Sequence, residues 1–189
     1  MQAMADSNDL IDTIHEFWFG AAPFERREIW FKKDASFDAE IRAQFGGHWE
    51  QASAGAYDHF AETAKGRLAL LILLDQFSRN LFRGDGRAYS NDVKALALAK
   101  DGVETGHDMA ISKIERVFLY LPFEHSENLE DQHRMMALCV NLPERNLEWA
   151  RKHLVIIERF GRFPHRNEVL GRETTPEEAK FLTEPDSSF

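Results

Sequence analysis

The sequence predicts an all-α chain built from antiparallel helix pairs, about seven to nine helices joined by short connections. Three observations carry this expectation. Apolar residues recur at three- and four-residue spacing along the whole chain. No stretch alternates apolar and polar residues as a half-buried strand does, and no Asn-Gly hairpin turn occurs.

The elements follow in order. Ser7 or Asn8 would cap a first helix that places Leu10, Ile11, Ile14, Phe17 and Trp18 on one face and stops at Gly20. Pro23 opens an aromatic connector ending at Trp30-Phe31. Ser36 would cap a second helix with the stripe Ile41, Phe45 and Trp49. Its Gly46-Gly47 pair costs roughly 1 kcal/mol per glycine relative to alanine and marks a kink or break. From Thr63 to Phe77 the chain carries Leu68 to Leu74, apolar on every face, as expected of a central helix buried on all sides.

Arg83-Gly84-Asp85-Gly86-Arg87 reads as a loop, and it lacks the Gly-Lys-Ser/Thr ending of a phosphate loop. A fourth helix runs from Ser90 to Glu104 with Val93, Leu96 and Ala97 at core spacing. A fifth runs from Ser112 to Tyr120, stopped by Pro122. Ser126 would cap a sixth, carrying Leu129, Met135, Met136 and Leu138. Pro143 begins a seventh with Leu147, Ala150, Leu154 and Ile157, ended by Gly161. Thr175-Pro176-Glu177-Glu178 is a capping box with proline at the first helical position, opening a short closing helix through Leu182. Residues 1–189 read as a single domain, with 1–8 and 184–189 as flexible ends.

Composition narrows the function classes. With 23 Lys plus Arg against 32 Asp plus Glu, the net charge of −9 argues against charge-driven binding to nucleic acid or to anionic membrane. One cysteine, Cys139, excludes an internal disulfide and any cysteine-pair zinc or iron–sulfur site. The first residues lack the basic flank and apolar stretch of a secretory signal. The longest apolar run is seven residues, where a membrane span needs about 20. A cytoplasmic location, no cofactor and no metal are the expectations.

Several stretches taken together resemble a bacterial family, the domain of unknown function 924 group. They are Phe17-Trp18-Phe19-Gly20, Trp30-Phe31-Lys32-Lys33-Asp34, the run from Leu74 to Gly84, the run from Glu115 to Pro122, His125-Ser126-Glu127, and the run from Arg159 to Asn167. These span nearly the whole chain in order. The sequence departs from the pattern at Ser78, a position commonly proline in the family. The resemblance implies a tetratricopeptide-like helical superhelix, and it implies no reaction.

Four constellations are candidates for chemistry. Asp75, Gln76, Arg79 and Asn80 directly follow the fully apolar segment, with Asp75 and Arg79 at i,i+4. They read either as a helix-end salt bridge or as the floor of a polar pocket presenting Arg79 or Arg83 to a ligand. Arg159, Arg162, His165, Arg166 and Arg172 form a local cationic excess. Arginine forks suit carboxylates and phosphates, but the acidic tail with Glu173, Glu177, Glu178, Glu184 and Asp186 is an equal claimant. His125 with Glu127, beside Glu124 and Asp131, is an acid–base candidate without zinc-ligand spacing. His153, on the apolar face of the seventh helix, is either a hydrogen-bonded core residue or a partner of His125 or Asp75. Cys139 reads as a small buried hydrophobe.

Three functions compete. In the first, a helical binding module uses Asp75, Arg79, Arg83, His125, Arg162 and Arg166 to hold an anionic small molecule or peptide carboxylate. In the second, an enzyme uses His125 or His153 as acid–base group, oriented by Asp75 or Glu127. The third is a scaffold holding a protein partner on its concave face, with no small-molecule site.

Overall fold

A computed structural model describes residues 2–188, and of residues 2–6 the backbone alone. Eight helices and no strand occur among the described residues. They are α1 Gln2–Phe19, α2 Ala35–Ser53, α3 at 64–81, α4 Asp92–Glu104, α5 Lys113–Glu124, α6 Leu129–Cys139, α7 Glu144–Phe160 and α8 Pro176–Phe181. The chain divides into two compact units. One holds the residues up to Arg83 with Arg87–Leu119, the other Gly84–Gly86 with the residues from Tyr120 on.

In the first unit, α3 is the buried centre, packed against α1, α2 and α4. Thr63 caps it, its hydroxyl accepting from the Gly66 amide at 3.1 Å. Every residue from Gly66 to Ser78 is buried. The stretch Ile72–Phe77 is π-helical, one wide turn set between the α-helical pieces Ala64–Leu71 and Ser78–Leu81. Such turns disturb the regular ladder and are frequent at functional positions. Ser78 lies within this helix. Its hydroxyl donates to the Leu74 carbonyl at 2.5 Å and accepts from the Trp49 indole at 2.7 Å.

Aromatic rings fill the space around α3. Trp18 stacks on Trp30 and Phe37 and meets Phe77 and Phe118 edge-on, and Phe45 leans on Phe77. The connector after α1 also closes that helix. Gly20 takes a left-handed turn at φ 75°, and Arg27 and the Trp30 indole both donate to the Trp18 carbonyl, at 2.7 and 2.8 Å. Arg67 on α3 is buried, with all three of its nitrogens bonded: to His107, to the carbonyls of Leu98 and Ala61, and to Asp101.

Several boundaries differ from expectation. Helix α1 begins at Gln2, ahead of Ser7 and Asn8. Asp34, not Ser36, caps α2, accepting from the amides of Ser36 and Phe37 at 2.9 and 3.0 Å. Helix α2 runs unbroken through Gly46-Gly47, because Phe37, Ile41 and Phe45 before the pair and Ala52 after it are buried on one side. Val93 is 84% exposed, and α4 instead buries Ala95, Ala99 and Gly102. The small residues are needed there, since a Cβ on Gly102 would lie 2.8 Å from the Arg67 side chain. Pro122 sits inside α5, where burial of Leu119, Leu121 and Phe123 outweighs the lost amide donor.

In the second unit, α6 and α7 pack as a hairpin. Asn128, not Ser126, caps α6. The Ser126 hydroxyl instead accepts from the Asn128 amide and donates to Asp131. Gly161 ends α7 at φ 67°. On either side of it Ile156, Ile157, Phe163 and Phe181 form a core cluster with Phe160 against it. The expected capping box at Thr175 and Glu178 opens α8. Asp186 pairs with Lys152 at 2.9 Å, and Met1 and Phe189 lie outside the described residues.

Candidate functional site

A groove of about 500 Å³ lies in the first unit between α2 and the end of α3. One wall is the α2 face bearing Ala35, Ala39 and Ala43, which share a side because they stand four residues apart. Asn80, Leu81 and Arg83 form the other wall. Asp38 organises the mouth. It accepts from Arg83 Nε at 2.5 Å and Nη2 at 3.0 Å, and from the Asn80 amide at 2.8 Å. Arg42 lies on the same side and donates through Nη2 to the Leu81 carbonyl, one of those left free where α3 ends. The groove thus contains two guanidinium groups, each held at one edge. Asp38 and Arg42 belong to this site although nothing in their local pattern announces it, since Asp38 stands 45 residues from Arg83.

The Asp75 cluster stands deeper in the same unit. Asp75 is buried and takes the Gln76 amide at 2.5 Å and Arg79 Nη1 at 3.0 Å. Arg79 also donates to the Asp75 carbonyl at 2.9 Å and, through both terminal nitrogens, to Asp92 at 3.1 and 3.2 Å. Burial alone would depress the Arg79 guanidinium, but Asp75 and Asp92 more than compensate and its pKa is raised. The expected i,i+4 pair is present, and it binds α3 to the start of α4.

A second buried carboxylate pair lies at α5. Glu115 closes a capping box with Ser112, accepting its amide at 2.8 Å, and the other oxygen meets His15 Nε2 at 2.7 Å. Burial pushes the Glu115 carboxyl up, but the hydrogen bonds from His15 and Ser112 outweigh it and the pKa is lowered. The Ser-x-x-Glu pattern was the available sequence signal for Glu115, and nothing signalled His15.

The second unit gathers His125, His153, His165 and Arg166. His153 is buried on α7, its Nδ1 donating to the Trp149 carbonyl at 2.9 Å. The carboxylate beside it is Glu124, 3.6 Å from Nδ1, and not Glu127. Burial lowers the His153 pKa to about 3. The Trp149 carbonyl opposes the fall, and the charges of His125, Arg166 and His165 add to it. His153 and His165 both pack on Phe163, and the Arg166 guanidinium lies 4.6 Å from that ring's centre. Cys139 is buried, and burial with the nearby Glu124 pushes its thiol up to about 12, the reverse of an activated nucleophile.

Glu127 and Arg162 have structural partners. Glu127 accepts the Phe163 amide at 2.8 Å and both terminal nitrogens of Arg172 at 2.7 and 3.0 Å. Arg162 holds Glu178 at 2.6 and 2.9 Å and the Glu173 carbonyl at 2.8 Å. Arg159 pairs with Glu177, so the acidic tail does engage this cationic run. Among the described residues no cluster of three or more His, Cys, Asp or Glu is arranged to hold a metal, and no helix is long and apolar enough to cross a membrane.

Comparison with known proteins places this geometry in a family. The profile of a bacterial protein of unknown function, DUF924, matches residues 14–186. No curated protein matches the chain. A solved structure of a protein of unknown function from Agrobacterium tumefaciens is 43% identical, with a TM-score of 0.88, over 94% of this chain and 98% of that one.

Proposed function

The chain belongs to the bacterial DUF924 family, and we propose that it is a binding module whose groove between α2 and the end of α3 takes an anionic small molecule or peptide carboxylate. The observation that carries the reading is the presence of Arg42 and Arg83 in one groove, each fastened at one edge by Leu81 or Asp38. A fastened guanidinium has less side-chain freedom to lose when it binds, and its planar fork matches a carboxylate or phosphate. The groove's volume falls within the range of small-molecule sites, about 300–1,000 Å³. Arg79, with Asp75 and Asp92, serves as a buttress that holds α3 in place behind Asn80 and Arg83. Arg162, Arg166 and His125 serve the architecture of the second unit.

Thermal denaturation with a panel of carboxylates and inorganic phosphate tests the reading. A ligand present at a hundred times its Kd stabilises by about 2.7 kcal/mol, a rise of about 5–10 °C for a chain of this size. The wild type is expected to show such a rise with at least one anion, and Arg42→Ala and Arg83→Ala are expected to lose it. A rise that survives both substitutions places the site elsewhere.

A further inference from the structure

Resting on the anion-binding reading, we infer that the groove selects a singly charged carboxylate with a short aliphatic body over a doubly charged anion. The first argument is charge. The groove holds the guanidinium groups of Arg42 and Arg83 and the carboxylate of Asp38, which leaves one formal positive charge to be met. Asp38 cannot easily swing away, because Arg83 grips both its oxygens and Asn80 holds one of them. A dianion would set its second charge against this fixed carboxylate.

The second argument is the supply of donors. Arg83 spends Nε and Nη2 on Asp38, and Arg42 spends Nη2 on Leu81. Nη1 of each arginine makes no hydrogen bond among the described residues, although the Arg42 guanidinium also lies 6.0 Å from the Phe82 ring centre, and one free donor group on each suits the two oxygens of one carboxylate. A phosphate dianion, with three terminal oxygens bearing charge, asks for more. The third argument is the wall. Ala35, Ala39 and Ala43 present methyl groups along the length of the groove, a surface for a hydrocarbon chain and not for a polyhydroxylated or highly charged body.

Isothermal titration of the full chain with hexanoate, acetate, succinate and inorganic phosphate at about pH 8.5, where succinate and phosphate are both dianions, on wild type, Asp38→Asn, Ala39→Leu and Arg83→Ala, tests the inference. The wild type is expected to bind hexanoate at least tenfold tighter than succinate or phosphate. Asp38→Asn keeps the shape and removes the negative charge, so the two dianions should gain tenfold or more relative to hexanoate. Ala39→Leu, at an exposed position, should weaken hexanoate more than acetate. Succinate or phosphate binding the wild type as tightly as hexanoate, with that binding lost in Arg83→Ala, would overturn the selectivity and leave the anion site standing. Absence of binding by all four would overturn the site and the inference together.

Discussion

In the second unit Arg172 spends all three nitrogens, on Asn167, on Glu127 and on the Phe163 carbonyl, and Arg162 spends two on Glu178 and the Glu173 carbonyl. In the groove of the first unit Arg42 spends one nitrogen and Arg83 two. The difference lies in what surrounds the arginines. The segment after α7 contains carbonyls and buried amides that need partners, so cations that arrive there are consumed in closing the chain. The end of α3 meets an alanine-faced helix that offers little to bond, so its arginines keep donors in reserve. Arginine content alone therefore does not mark a site; a donor left over inside a groove does, and Arg162, which keeps Nη1 as Arg83 does, spends its other two nitrogens in closing the chain.

That contrast can be tested most forcefully at Arg67, a fully consumed arginine of the first unit. Arg67→Ala empties a buried site and removes the partner of the Leu98 and Ala61 carbonyls and of His107, and should cost about 2–4 kcal/mol in urea denaturation. Glu127→Ala strands the amide of buried Phe163 and the fork of Arg172, with an expected loss of about 2–4 kcal/mol by the same measurement.

A pH series sharpens the comparison further. The Arg162 guanidinium, working against burial and aided by Thr175, holds the Glu178 carboxyl at about 2, below its ordinary 4.5. A carboxyl depressed in the fold stabilises above its unfolded pKa, and that contribution fades as pH falls from about 4.5 through about 2. Melting temperatures at pH 7, 4 and 3 should therefore fall less steeply in Arg162→Ala than in the wild type. The smallest stability change is expected at the groove. Arg83→Ala and Arg42→Ala should stay within about 1 kcal/mol of wild type, as the loss of a surface ion pair or helix-end bond does, while abolishing the response to anions.

What the sequence disclosed follows the range of the forces involved. The central helix, the Gly161 stop and the Thr175 capping box depend on residues within one or two turns of each other, and each was legible. The Asp75–Arg79 pair was legible for the same reason. Competing local signals were harder to rank, as when Asp34 capped α2 in place of Ser36 and Asn128 capped α6 in place of Ser126. Pro122 and Val93 depart from what local pattern predicts because burial by distant elements, not local propensity, decides them. The groove itself was only half visible. Asn80 and Arg83 stood out beside the apolar helix, but Asp38 and Arg42 reach them across about 40 residues of chain, and only folding brings the pairs together. His153 stands out in the sequence, yet its carboxylate neighbour is Glu124 rather than Glu127, since Glu127 is drawn to the Phe163 amide and Arg172.

The most direct test of the contrast follows the arginine Nε–H resonances of ¹⁵N-labelled protein during a titration with hexanoate. The resonances of Arg42 and Arg83 should move in a saturable way while those of Arg67, Arg162 and Arg172 stay in place. Movement centred on Arg162 or Arg172, with Arg83 unmoved, would show that the reserve donors of the groove do not mark the site.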